Sequence, residues 1–194
     1  MLLSASLCKS SRLSVCSARS RKSDALVRRL VKRGKKVAVV SRGYGGTFKG
    51  KYGRVNPVGG GDVQTPEAAG DEPFLLATKN PEARVYIARK RRFGLAAAEA
   101  DGAECIVLDD AFQHLAVQRD LDIVLLDARN PFGNGSLLPA GLLREPRRAL
   151  KRADLLILTH SDAPEHSVLE EYDALRCRHR LADHLLNAEG LRLP

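Results

Sequence analysis

Val37–Val40, Arg84–Ala88, Cys105–Leu108, Ile123–Leu126 and Leu155–Leu158 are short, mostly apolar runs without the polar alternation of a strand that has one wet face. Runs of four or five residues are too short for buried helices, so they read as strands covered on both sides. Helical spacing appears between them. Leu26, Val27, Leu30 and Val31 fall on one helix face, with Ser23 or Asp24 as N-cap and Gly34 as the stop. Phe93–Ala100 reads as a second helix closed by Gly102, and Glu145 to Arg152 as a charged third. Strands alternating with helices predict a three-layer α/β fold with a mostly parallel sheet. Such sheets bind ligands beyond the carboxyl ends of their strands, which directs attention to the residues that follow each apolar run.

The 194 residues suffice for one domain with a ragged end, and 44% apolar with 28% charged residues excludes wholesale disorder and collagen. No apolar stretch approaches a spanning helix, so any membrane contact is expected to be peripheral. The net charge of +9 is lopsided: residues 1–56 hold 15 Lys and Arg against Asp24 alone, and the remainder is net acidic. A basic head on an acidic body predicts a leader or a local anion site. A nucleic-acid partner is not expected, because no aromatic residue precedes Tyr44 and no recognition motif is present. Residues 1–23, with eight serines and no acid, are compatible with an organellar leader or a polar tail. The expected division is 1–23 leader or tail, 24–162 α/β domain and 163–194 a divergent helical tail. Four widely spaced cysteines with no CxxC pair argue against a zinc site or a disulfide framework.

Four segments carry chemistry. Ser41-Arg42-Gly43-Tyr44-Gly45-Gly46 closes one strand, where glycines admit an anion to the backbone and Arg42 supplies charge; a plain turn is the simpler alternative. Leu108-Asp109-Asp110-Ala111-Phe112-Gln113-His114 closes another, with paired carboxylates suited to Mg2+ or, alternatively, to capping and solvation. Gln113 and His114 follow in the turn as hydrogen-bonding groups for phosphate or substrate. Arg144-Glu145, after a long Gly/Pro-punctuated loop, offers a bidentate anion clamp and a carboxylate to orient it, or else surface charges at a helix start. In Gly70-Asp71-Glu72-Pro73, Asp71 is either an N-cap or a base for a substrate hydroxyl.

In this order, SRGYGG, GDEP, LDDAFQH, RDLDIVLLDARNPFGNGSLLPAG and LREP resemble the tetraacyldisaccharide 4'-kinase family over about residues 24–162. The resemblance implies an incomplete sheet of P-loop-NTPase type and transfer of the γ-phosphoryl group of ATP to the 4'-hydroxyl of a lipid A disaccharide precursor. It implies that Asp71, with Glu72 beside it, is the catalytic base, that Asp109 and Asp110 serve Mg2+, and that Arg144 and Glu145 form an active-site pair. Ser41, Arg42, Gly43, Gln113 and His114 would contact substrate or phosphate. It also implies a peripheral membrane location, on the cytoplasmic face of a bacterial inner membrane or, in a eukaryote, in a mitochondrion or plastid. Departures are equally specific. Where the family has GGxGKTP the chain reads Val15 to Arg21 without glycine, and the strand before that motif is expected to be missing. The histidine that partners the family's base is supplied by a second domain, and His166, His179 and His184 are not expected to replace it. Ala111 and Leu142 stand where the family usually has Gly and Pro. A non-catalytic binding module is the alternative reading.

Overall fold

The computed structural model describes residues 14–18, 20–161, 172–177, 185–186 and 192–193. Strands β1 (Ser14–Ala18), β2 (Val37–Ser41), β3 (Gly53–Val55), β4 (Arg84–Ile87) and β5 (Cys105–Asp109) form one sheet in the order β1-β5-β2-β4-β3. All pairs are parallel except β3 with β4, which are antiparallel. Strands β6 (Ile123–Asp127), β7 (Leu155–Thr159) and β8 (Ala174–Cys177) form a second, parallel sheet, and β6 runs beside β1. Two short strands, β9 (Leu185–Leu186) and β10 (Arg192–Leu193), pair with each other.

Alternate strand residues separate into two apolar layers, as strand periodicity requires. Val37, Val39, Val85, Ile87, Cys105 and Val107 face helices α1 (Ser20–Val31) and α3 (Asp71–Lys79) through Val27, Leu76 and Ala77. Ala38, Val40, Tyr86, Ile106 and Leu108 face helix α4 (Arg91–Ala100) through Ala98. This is the three-layer arrangement expected, and burial on both faces explains why the strands are continuously apolar.

Several local expectations are corrected. A strand does precede α1: β1 pairs with β5 and fills the place where a gap was expected. Helix α1 begins at Ser20, so neither Ser23 nor Asp24 is its N-cap; Asp24 instead accepts from Arg28 and Asn80, each at 2.9 Å. The span to Gly70 is not all loop, since it contains β3 and helix α2 (Pro66–Ala69). There Gly53 leaves the space that the Phe48 and Val63 side chains fill. The charged helix is a 3-10 helix, Arg147–Arg152, entered from the extended Pro146. The expected helical tail contains strand β8, and His166, His179 and His184 lie outside the described residues.

Candidate active site

Five chain segments bring polar groups to the carboxyl end of β5. Asp109, its last residue, is 2% exposed, and the Ser23 hydroxyl donates to its Oδ1 at 3.2 Å. Burial, then the nearby carboxylates Glu72 and Asp110, push the Asp109 carboxyl up to about 7, against the pull of Ser23 and Arg91. Asp110 has φ 48, a left-handed conformation uncommon outside glycine and strained enough to mark functional turns. Its carboxylate accepts from Arg144 Nη1 at 2.9 Å. Arg91, at the start of α4, is 2% exposed and donates from Nη2 to the carbonyl oxygens of Asp109 and Asp110, the latter at 2.8 Å. Burial and the neighbouring Arg42 charge lower its guanidinium to about 10.

The Ser41–Gly46 turn and the start of α3 are interlocked. Thr47 and Phe48 amides donate to the carbonyls of Glu67 and Ala68 at 2.9 and 3.2 Å. A Cβ on Gly46 would lie 2.4 Å from the Ala68 carbonyl oxygen, and one on Gly70 would lie 2.5 Å from that of Tyr44. Side chains at either position would force the two segments apart. Gly70, at φ 86, is also the N-cap of α3, so Asp71 is the first helical residue rather than the cap. The capping alternative for Asp71 is thereby removed. Its exposed carboxylate sits at a helix N-terminus, where negative charge is favoured. Ser41 is buried; its carbonyl accepts from Ala88, and its hydroxyl oxygen accepts from the Gly43 amide at 3.5 Å.

The loop after β5 carries Gln113 and His114. Both side-chain amide atoms of Gln113 are buried without a hydrogen-bond partner, as is Arg91 Nε, and such orphaned groups mark a site that awaits a ligand or water. Burial and the positive charges of Arg91, Arg42 and Arg119 lower the His114 pKa. Arg119 clamps the loop: it forks onto Asp122 at 3.0 to 3.2 Å and donates to the carbonyls of His114 and Val117 at 2.6 and 3.1 Å. Its side chain is 6% exposed and that of Asp122 12%. Arg119→Ala strands a buried carboxylate and should cost about 3 kcal/mol in urea unfolding; Arg119→Lys should recover only part, because an ammonium lacks the planar fork. Glu145 accepts from Arg152, whose guanidinium stacks 4.5 Å over the Phe112 ring.

The structure thus gathers Asp109, Asp110, Arg144, Gln113 and His114, with Glu72 close enough to raise Asp109. Ser23 and Arg91 belong to this group although their local sequence pointed elsewhere. Ser23 reads as a cap, and nothing in the sequence singles out Arg91 from the cations beside it; only contacts 86 and 18 residues apart in sequence reveal their places.

The family model for tetraacyldisaccharide-1-P 4'-kinase matches residues 22–191. The chain belongs to that family. The match continues beyond residue 162, so the tail is not foreign to the family as its composition suggested. Curated tetraacyldisaccharide 4'-kinases of Syntrophotalea carbinolica and Anaeromyxobacter dehalogenans are 48% and 49% identical over 86% and 78% of this chain. Those alignments cover 47% and 40% of the relatives, so the chain spans about half their length or less. LpxK of Aquifex aeolicus, solved in complex with ATP, superposes with a TM-score of 0.72 at 34% identity over 94% of this chain and 58% of that one. The likeness confirms the α/β kinase fold.

The donor set at the end of β5 fits a divalent cation in kind: a hydroxyl, Ser23, and two carboxylates, Asp109 and Asp110, are hard oxygen ligands, but among the described residues no three His, Cys, Asp or Glu side chains form a metal-holding group. A carboxyl held up to about 7 by burial and two acidic neighbours is also one that a cation would relieve. The fit to a nucleotide triphosphate is poorer. No glycine occurs before Gly34, and glycine is the residue that lets backbone amides close tightly round a phosphate.

Proposed function

We propose that the chain is the α/β portion of a lipid A 4'-kinase, transferring the γ-phosphoryl group of ATP to the 4'-hydroxyl of a tetraacyldisaccharide 1-phosphate. The observation that carries this reading is the convergence of Asp109, Asp110, Arg144, Arg91 and Glu72 at one strand end, beside the interlocked turn that presents Asp71. Asp71 accepts the proton of the acceptor hydroxyl. Ser23, Asp109 and Asp110 would hold Mg2+, which would supply charge neutralisation at the transferring group. Arg144 leaves Asp110 to clamp a phosphoryl oxygen, since its present pair is half exposed and exchangeable. Glu72 keeps the site acidic around the metal, while Gln113 and His114 donate hydrogen bonds to the acceptor side. Glu145 acts at a distance, orienting the Arg144 segment through its pair with Arg152.

Peripheral contact with the cytoplasmic face of a bacterial membrane is part of the proposal. Leu137, Leu138 and Leu142, within one loop, are 45–64% exposed, which supports an apolar contact there. No helix among the described residues is long and apolar enough to cross a membrane.

The test is transfer of radiolabel from γ-labelled ATP with Mg2+, at several millimolar nucleotide, to the purified disaccharide 1-phosphate. Labelled bisphosphate product is expected; no label above a protein-free control overturns the reading. ATP with Mg2+ should bind the chain no more tightly than about 1 mM, roughly −4 kcal/mol by calorimetry. Micromolar binding would show that the triphosphate is held without a glycine turn.

A further inference from the structure

The turn that carries Gln113 and His114, residues 111–118, bonds sparingly to itself: the His114 amide donates to the Ala111 carbonyl at 2.9 Å, and the Val117 amide to that of His114 at 3.5 Å. A side chain from beyond the turn supplies the rest. Arg119 forks onto the Asp122 carboxylate through Nε and Nη2 at 3.0 to 3.2 Å. Its Nη1 donates to the His114 and Val117 carbonyls at 2.6 and 3.1 Å, and Nη2 reaches the Phe112 carbonyl at 3.5 Å. The Phe112 and His114 carbonyls lie on either side of Gln113. Both polar atoms of the Gln113 amide are buried without a partner. Groups of that kind are costly to leave unpaired, so the turn must be held if the amide is to stay pointing inward.

The other end of this brace is fixed. The Asp122 amide donates to Asp154 Oδ2 at 2.6 Å, and its carbonyl accepts from the Asp154 and Leu155 amides at 2.8 and 3.2 Å, which fastens it to the start of β7. An ion pair serving the core alone would need only the fork onto Asp122. The remaining N–H groups of Arg119 are spent on the turn.

We propose that Arg119 is a positioning residue: by holding the carbonyls on both sides of Gln113, it aims the Gln113 amide and the His114 ring at the acceptor. The inference rests on the 4'-kinase reading for what the turn meets. The Arg119 side chain is 6% exposed and acts only through the turn.

Two measurements on the full chain test this with Arg119→Lys, which keeps the charge opposite Asp122 but lacks the planar fork that reaches several oxygens at once. The first is hydrogen exchange by mass spectrometry, without substrate. Exchange in residues 111–118 should rise about 10-fold relative to that in β2 and β5. No rise, or the uniform rise that a loss of global stability produces, would overturn the proposal. The second is label transfer. The kcat/KM for the disaccharide should fall about 10-fold, while the KM for ATP changes less than about two-fold. In a chain that already carries Gln113→Ala and His114→Ala, the lysine substitution should cost less than about two-fold, because the groups it positions are gone. Additive losses, or an equal loss towards ATP, would overturn the proposal. Asp122→Asn leaves the guanidinium one oxygen and loosens the same brace; it serves if the lysine variant does not fold. A chain that transfers no label would sink the kinase reading alone, with exchange still deciding the brace. Label transfer with unaltered exchange would sink this inference alone.

Discussion

Asp71→Asn lowers the rate of label transfer about 10²- to 10⁴-fold, the range for loss of a positioned general base, with little change in the apparent KM for either substrate. The amide keeps the size of the side chain and its place at the first position of α3, so the fold is retained. On the proposed reading, what it loses is the ability to take the proton of the attacking hydroxyl. Gly70 occupies the cap, so Asp71 does not anchor the helix, and the variant should melt within about 0.5 kcal/mol of the parent. A variant that melts far earlier, or that keeps full activity, returns Asp71 to a structural role.

Asp109 governs the second large effect, on stability. Its carboxyl stands near 7 in the folded chain against an ordinary 3.8, so between these values the folded state holds a proton that the unfolded state has released. Its contribution is therefore fully present below about pH 4 and lost as pH rises through about 7. At 1.36 kcal/mol per pH unit the total is of the order of 4 kcal/mol. Urea unfolding at pH 5 and pH 8 should show the parent losing stability on going up, while Asp109→Asn flattens the difference. Millimolar Mg2+ should restore part of the loss at pH 8 and do little at pH 5, where the carboxyl holds its proton. A parent and variant with the same pH slope would show that Asp109 does not hold the extra proton, and an equal Mg2+ effect at both values would remove it from the proposed metal site.

The strands were legible because burial on both faces demands near-continuous apolar runs, and Val37, Val39 and Val107 show that pattern without ambiguity. Motif order was legible too, since the carboxyl ends of parallel strands are where chemistry collects. β1 was harder to read. Ser14-Val15-Cys16-Ser17-Ala18 is half polar and inside a serine-rich stretch, so only its pairing with β5 reveals it as a strand. The charged segment after Glu145 looked helical because side-chain pattern does not distinguish α from 3-10 geometry over six residues.

By itself, the amino-acid sequence determined the α/β class, the kinase family and the identities of the acidic and basic residues, because periodicity and residue chemistry are local properties. Which of those residues meet was decided by the tertiary structure. Ser23 reaches Asp109, Arg144 reaches Asp110, Glu145 turns to Arg152, and Arg42 joins the Arg89–Arg92 turn around one cavity. Charge, burial and hydrogen bonding act through space over a few ångströms, and chain folding sets those distances between residues that lie far apart in the sequence.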